Sequence, residues 1–300
     1  MKTVLMTGGT AGLGAYALGQ LTKSPGIRML LGVRGAGPAG VETYPLDLAR
    51  LDSVRSFAAT VRDRLGSTEV DALVLNAGVS LTSGDQRTAD GFETTFAVNH
   101  LAHYLLLRLL LPQLAPRAVV TLTTSGTHDP AIRTMLSSTP PRHADARLLA
   151  NPERDPQRDE QPRAAGGRAY ASSKLCNILT IRGLAAQPEA SRLRIVAFDP
   201  GPTPGTSLLR NTPLPVRLIW RMFGTPLRAL MPRFNSVPAA GGALADIASG
   251  RTVPPAGAYY ARLVRGQLTW PSPSELARRD DVRDRLWRDS AELVGLPVTR

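Results

Sequence analysis

The chain has 300 residues, of which 43% are hydrophobic and 20% charged; these proportions supply a core and exclude global disorder, and one α/β unit with insertions accommodates the length. The formal net charge of +12 comes from arginines scattered along the chain, with lysine only at Lys2, Lys23 and Lys174 and no recognition motif beside the charge, so nucleic acid is not an expected partner. The lone Cys176 excludes an internal disulfide, no apolar run reaches the roughly 20 residues of a membrane span, and Lys2 passes directly into Val4-Leu5-Met6 rather than into a signal peptide, which together give the expectation of a cytoplasmic protein.

Residues 3–6 read as a buried strand, followed at once by Thr7-Gly8-Gly9-Thr10-Ala11-Gly12-Leu13-Gly14 and a helix over 14–22. Further apolar runs at 29–33, 72–75, 118–122 and 194–198 read as buried parallel strands, and helices are predicted over 51–65, 92–111, 170–186 and 239–248. This alternation calls for an α/β fold: a doubly wound parallel sheet, the Rossmann fold, with right-handed crossovers and ligands at the carboxyl ends of the strands. Two stretches interrupt the rhythm. Residues 127–169, rich in Pro, Arg, Asp and Ala, read as an insertion loop. Residues 202–238 combine many prolines with Leu218-Ile219-Trp220 and Met222-Phe223, and read as a substrate lid or as an amphipathic piece that touches a membrane peripherally. A surface helix over 275–296 closes the chain, and residues 1–300 are read as one domain.

The glycines after the first strand let the backbone turn tightly and approach a pyrophosphate, while a helix N-terminus offers N–H groups and partial positive charge. Gly12-x-Gly14-x-x-Ala17 fits the dinucleotide fingerprint, although a plain strand-to-helix turn uses the same residues. The second strand ends Gly32-Val33-Arg34, where an NAD site carries an acid. A guanidinium there pairs with a 2′-phosphate, so NADP(H) is the expected cofactor, and an ordinary surface arginine is the competing account of Arg34.

Tyr170-Ala171-Ser172-Ser173-Lys174 places a phenol and an ammonium one helical turn apart. A free phenol, with a pKa of about 10, moves protons poorly at neutral pH, and a nearby ammonium is expected to lower it. Ser125 lies just beyond the strand 118–122, at the sheet's ligand end, placed either to hold a substrate oxygen before Tyr170 or simply to cap a turn. His100 and His103 are spaced for one helical face without further ligands, so packing or polar surface is expected there and no metal; His128 and His143 are expected in solvent.

Together these residues resemble the short-chain dehydrogenase/reductase family over most of the first 206 residues. Thr7, Gly8, Gly12 and Gly14 match its glycine motif, with Thr10, Ala11 and Leu13 in the same turn. Asn76-Ala77-Gly78 matches its Asn-Ala-Gly turn, Asp47-Leu48 the pair whose Asp meets the adenine, and Pro200-Gly201 the turn that faces the nicotinamide. The resemblance implies a catalytic tetrad of Asn99, Ser125, Tyr170 and Lys174. Asn anchors a water that relays protons to Lys, Ser orients the substrate oxygen, Tyr is the acid/base, and Lys binds the nicotinamide ribose. Thr203 and Thr206 are implied near the cofactor, but the threonine that contacts the carboxamide is displaced: Gly205 takes its place and Thr206 follows.

Within the family, Phe96-Ala97-Val98-Asn99-His100-Leu101-Ala102-His103, Ser173-Lys174-Leu175-Cys176-Asn177 and the run 46–54 resemble retinol dehydrogenases and light-dependent protochlorophyllide reductases. The implied activity is NADP(H)-dependent hydride transfer to or from a carbonyl or alcohol carbon of a hydrophobic or polycyclic small molecule, in a family that often forms homo-oligomers. Two other functions stay open. One is reduction of a carbon–carbon double bond in a tetrapyrrole with help from Cys176, a residue that otherwise packs as a small hydrophobe. The other is a non-catalytic, NADPH-binding regulatory protein, against which the intact Tyr170/Lys174 pair speaks.

Overall fold

Strand β1 (Lys2–Thr7) is buried from Thr3 onward because both faces of the sheet are covered: Val4 and Met6 enter one apolar cluster and Leu5 the other. The same alternation places Leu30, Leu73, Leu75 and Val120 with Leu5, and Leu31, Val74 and Val119 with Met6. The computed structural model describes residues 1–132, 139–204 and 234–298. Around β1 stand β2 (Ile27–Val33), β3 (Glu42–Pro45), β4 (Val70–Leu75), β5 (Leu114–Thr123), β6 (Arg194–Asp199), β7 (Tyr260–Val264) and β8 (Gln267–Thr269). Their order is β3-β2-β1-β4-β5-β6-β7-β8, parallel throughout except for the antiparallel β7–β8 pair.

Helix α1 (Gly12–Thr22) packs with α7 (Val237–Ala248) on the Met6 face. The Leu5 face is covered by α2 (Leu51–Leu65), by α3 (Thr94–Phe96) continuing through a π-helical turn (Ala97–Leu101) into α4 (Ala102–Leu110), and by α6 (Pro162–Ala185). The chain reverses its direction of winding between β1 and β4, so the ends of these neighbours form the crevice where a doubly wound sheet takes its ligand.

Three differences from the sequence expectation have physical causes. Strand β3 has no apolar run: it is half-buried at the sheet edge, where Glu42 holds Arg28 of β2 at 2.9 Å. Strands β7 and β8 are short, and only β7 presents buried residues. The segment 127–169 is not a continuous loop, for it contains α5 (Ala146–Ala150), capped by Asp145 onto the Arg147 and Leu148 amides, and α6 starts at Pro162, well before Tyr170. Arg142 and Arg168 both clamp Asp159 at 3.0 Å within this stretch.

The predicted tail helix is broken into α8 (Glu275–Arg278) and α9 (Asp280–Leu293). Residues 205–233, with Thr206 and the apolar part of the expected lid, lie outside the described residues. Among the described residues no helix is long and apolar enough to cross a membrane.

Candidate active site

The glycine turn is pressed onto the exit of β4. Gly8 and Gly12 have φ of 72° and 56°, a region open to glycine at little cost. A Cβ on Gly8 would stand 2.6 Å from the Ala77 backbone, and one on Gly14 2.0 Å from the Gly8 carbonyl oxygen. Thr7 Oγ1 accepts the Asn76 and Ala77 amides at 3.0 and 3.1 Å. Asn76 donates to the Gly8 carbonyl at 2.9 Å and accepts from Thr123 Oγ1 at 3.0 Å. Both ends of its side chain are therefore used in fastening three strand ends together, which makes Asn76 a support of the turn.

Ala11, the N-cap of α1, supplies no side-chain cap and the first turn holds no carboxylate; Thr10 and Ala11 are exposed while Leu13 is half-buried. Free N–H groups beside a turn shaped for close approach fit the pyrophosphate of a dinucleotide. Arg34 is exposed just after β2 and makes no ion pair among the described residues. Asp47 spends one carboxylate oxygen on the Ala49 amide at 3.0 Å, and Leu48 is buried beneath it.

Helix α6 crosses the ends of β5 and is tied there: Thr124 Oγ1 donates to the Lys174 carbonyl at 2.6 Å, while Lys174 Nζ and Asn177 Nδ2 donate to the Thr123 carbonyl at 3.1 and 3.0 Å. Tyr170 is half-buried, with the Ser125 side chain near its phenol; Lys174 Nζ lies 5.6 Å from the Tyr170 ring centre. Asn99, in the π turn, accepts the Val79 amide at 2.8 Å and donates to the Val79 carbonyl and Ser173 Oγ at 2.9 and 3.0 Å. A Cβ on Gly78 would stand 3.2 Å from Asn99 Oδ1 and 3.5 Å from Lys174 Nζ. Asn99, Ser125, Tyr170 and Lys174 thus gather at the ends of β4 and β5 beside Gly78.

The electrostatics correct one expectation. Burial pushes the Tyr170 phenol above its usual value, the Ser125 hydroxyl opposing and the Asp199 carboxylate reinforcing the rise, so the net shift is upward and not downward. Burial lowers Lys174 itself to about 8, with Asp199 working the other way.

The sequence profile of the short chain dehydrogenase family matches residues 2–130. Human retinol dehydrogenase 12 is 31% identical, the match covering 98% of this chain and 87% of the relative. The chain belongs to the short-chain dehydrogenase family. This dehydrogenase is also 30% identical to the chloroplastic protochlorophyllide reductase of Chlamydomonas reinhardtii, over 98% of its own length and 78% of the relative's. Its structure superposes on that of an uncharacterized protein from Mycobacterium paratuberculosis with a TM-score of 0.67 and 25% identity, over 99% and 96% of the two chains. Membership makes it an oxidoreductase of a family that binds nicotinamide cofactors.

Behind Ser125 the dehydrogenase carries a polar ring with little trace in its sequence. Asp199, buried at the end of β6, accepts the Gly201 amide at 2.9 Å, which shapes the Pro200-Gly201 turn with Gly201 at φ 63°. Thr203 Oγ1 bonds the Pro200 and Gly201 carbonyls at 3.2 and 3.1 Å. The other Asp199 oxygen accepts from the Tyr260 hydroxyl at 2.9 Å and lies 3.4 Å from Arg262 Nε. His128 is buried, contrary to the expectation of a solvated residue: Nδ1 donates to the Ser125 carbonyl at 2.8 Å and Nε2 accepts the Ser274 amide at 3.3 Å. His143 is half-buried against Asp155 at 3.1 Å. The signal available for Asp199 was an acid closing the apolar run 194–198; Tyr260 and Arg262 had none.

Proposed function

We propose that this dehydrogenase is an NADP(H)-dependent enzyme that reduces a carbonyl carbon, or oxidises the matching alcohol, on a hydrophobic substrate. The observation that carries the reading is the gathering of Ser125, Tyr170 and a buried Lys174 at the ligand end of the sheet, Lys174 Nζ lying 5.6 Å from the Tyr170 ring centre. The glycine turn and the uncapped start of α1 would hold the pyrophosphate, Lys174 the nicotinamide ribose, and Arg34 the 2′-phosphate. When bound, the dinucleotide supplies or accepts the hydride.

Ser125 orients the substrate oxygen, and the Tyr170 hydroxyl gives that oxygen its proton. A phenol held above its usual pKa keeps its proton at neutral pH, the form that can give it to a carbonyl oxygen. Lipophilic substrates are supported by the names of the relatives, a retinol dehydrogenase and a protochlorophyllide reductase. Assistance from Cys176 in double-bond reduction has less support: the thiol is fully buried among apolar side chains, and burial raises its pKa, which keeps it a thiol.

The cofactor choice is tested by following oxidation of NADPH and NADH with a panel of hydrophobic aldehydes and ketones. Arg34→Asp is expected to raise the KM for NADPH roughly 10-fold or more, the order of a lost charge-assisted hydrogen bond, and to spare NADH. Equal effects on both cofactors would refute the role of Arg34.

A further inference from the structure

We propose that His103 is a positioning residue whose neutral imidazole joins the end of β1 to the π turn that carries Asn99. The histidine is buried, with one ring nitrogen 3.1 Å from the Asn99 carbonyl oxygen and the other 3.0 Å from Thr7 Oγ1. A carbonyl only accepts, so Nδ1 carries the proton and donates to Asn99. Nε2 then holds a lone pair and accepts from the Thr7 hydroxyl. Thr7 Oγ1 in turn accepts the Asn76 and Ala77 amides. Each group in this chain has a single consistent direction, and a second proton on the ring would oppose the Thr7 hydroxyl. Burial, together with the nearby Lys174 ammonium, keeps that proton off by lowering the ring's pKa to about 4.

At its far end the chain reaches the proposed active site. Asn99 grips Val79 on one side and Ser173 on the other, and Ser173 Oγ donates to the Tyr170 carbonyl at 2.7 Å. Through Thr7 and Asn99, the two groups that His103 joins, this chain of hydrogen bonds links four segments: the strand that leads into the glycine turn, the exit of β4, the π turn and the helix of Tyr170 and Lys174. The turn has itself been widened, since the Ala102 amide reaches back to Ala97; such turns are rare and occur frequently at functional sites. An apolar ring in place of His103 fills the volume but leaves the Thr7 hydroxyl and the Asn99 carbonyl without this partner. A histidine present only for packing would tolerate that exchange.

The catalytic part of this inference rests on the proposed reaction, and the structural part does not, so the test has two readouts. The first is amide hydrogen exchange of the full-length protein without cofactor. His103→Phe is expected to speed exchange in peptides covering 76–79 and 97–103 by about 10-fold, the value of one lost buried hydrogen bond. His103→Asn, which returns a donor at the position of Nδ1, is expected to restore the 97–103 peptide. The second readout is turnover of NADPH with a hydrophobic aldehyde: kcat falls roughly 10- to 100-fold in His103→Phe, KM for NADPH changes by less than about threefold, and His103→Asn recovers most of the loss.

Wild-type exchange in both peptides of His103→Phe would overturn the proposal. If that variant does not fold, His103→Asn and His103→Gln carry the test, because Gln places its amide at the position of Nε2; equal exchange over 97–103 in the two would overturn it. A wild-type protein that oxidises no NADPH with any aldehyde would refute the reaction and leave the exchange comparison to decide the role of His103.

Discussion

Lys174 shows what the site costs the fold. Its ammonium is 3% exposed and donates to one backbone carbonyl, at Thr123, and burial lowers its pKa from 10.5 to about 8. A base whose pKa is depressed by folding contributes stability above its unfolded value, and that contribution is lost as pH falls through the folded value. At pH 7 the penalty is therefore present in full, about 3 kcal/mol at 1.36 kcal/mol per pH unit. Lys174→Met removes the charge and keeps the stem. We expect it to abolish turnover yet melt several degrees higher than wild type at pH 7, the gap closing as pH rises from about 8 to 10.5. A lower melting temperature at pH 7 would contradict this account of the burial.

The helix that carries Tyr170 and Lys174 is held from behind by α9. Trp287 lies over Gly183 of α6, where a Cβ would stand 2.6 Å from the indole. Its ring meets Tyr104 edge-on at 5.0 Å, and the Tyr104 hydroxyl donates to the Trp287 carbonyl at 2.8 Å. Trp287→Ala opens a cavity in this joint and is expected to lower unfolding free energy by about 3–5 kcal/mol in denaturant titration; a loss under about 1 kcal/mol would show that α9 does not brace α6. The elements legible in the sequence were those whose burial leaves a periodic mark. Helix α2 matches its predicted bounds, and the five apolar strands are present. Strand β3, polar and half-buried, leaves no such mark. The first turns of α6 contain Gly166, where a Cβ would stand 2.5 Å from the Leu81 carbonyl oxygen; that helical stretch is set by close approach of another segment, which local propensity does not encode.

Across the whole molecule, the winding reversal between β1 and β4 brings together residues that are far apart in the chain. The glycine turn and the Tyr170/Lys174 pair were legible because each is a local spacing with a chemical reason. The ring of Asp199, Tyr260, Arg262 and His128 was not, because its members come from β6, β7 and the segment after β5 and meet only through folding. The direction of the Tyr170 shift was missed for the same reason: it is set first by burial, with Asp199 reinforcing the rise. The claim on which the account depends is that the Tyr170 hydroxyl moves the proton that accompanies hydride transfer. The direct measurement is NADPH turnover with a hydrophobic aldehyde in wild type and Tyr170→Phe, paired with NADPH affinity from fluorescence titration. The account predicts a fall in kcat of roughly 10²- to 10⁴-fold with affinity held within about twofold; a Tyr170→Phe protein that turns over at the wild-type rate would contradict it.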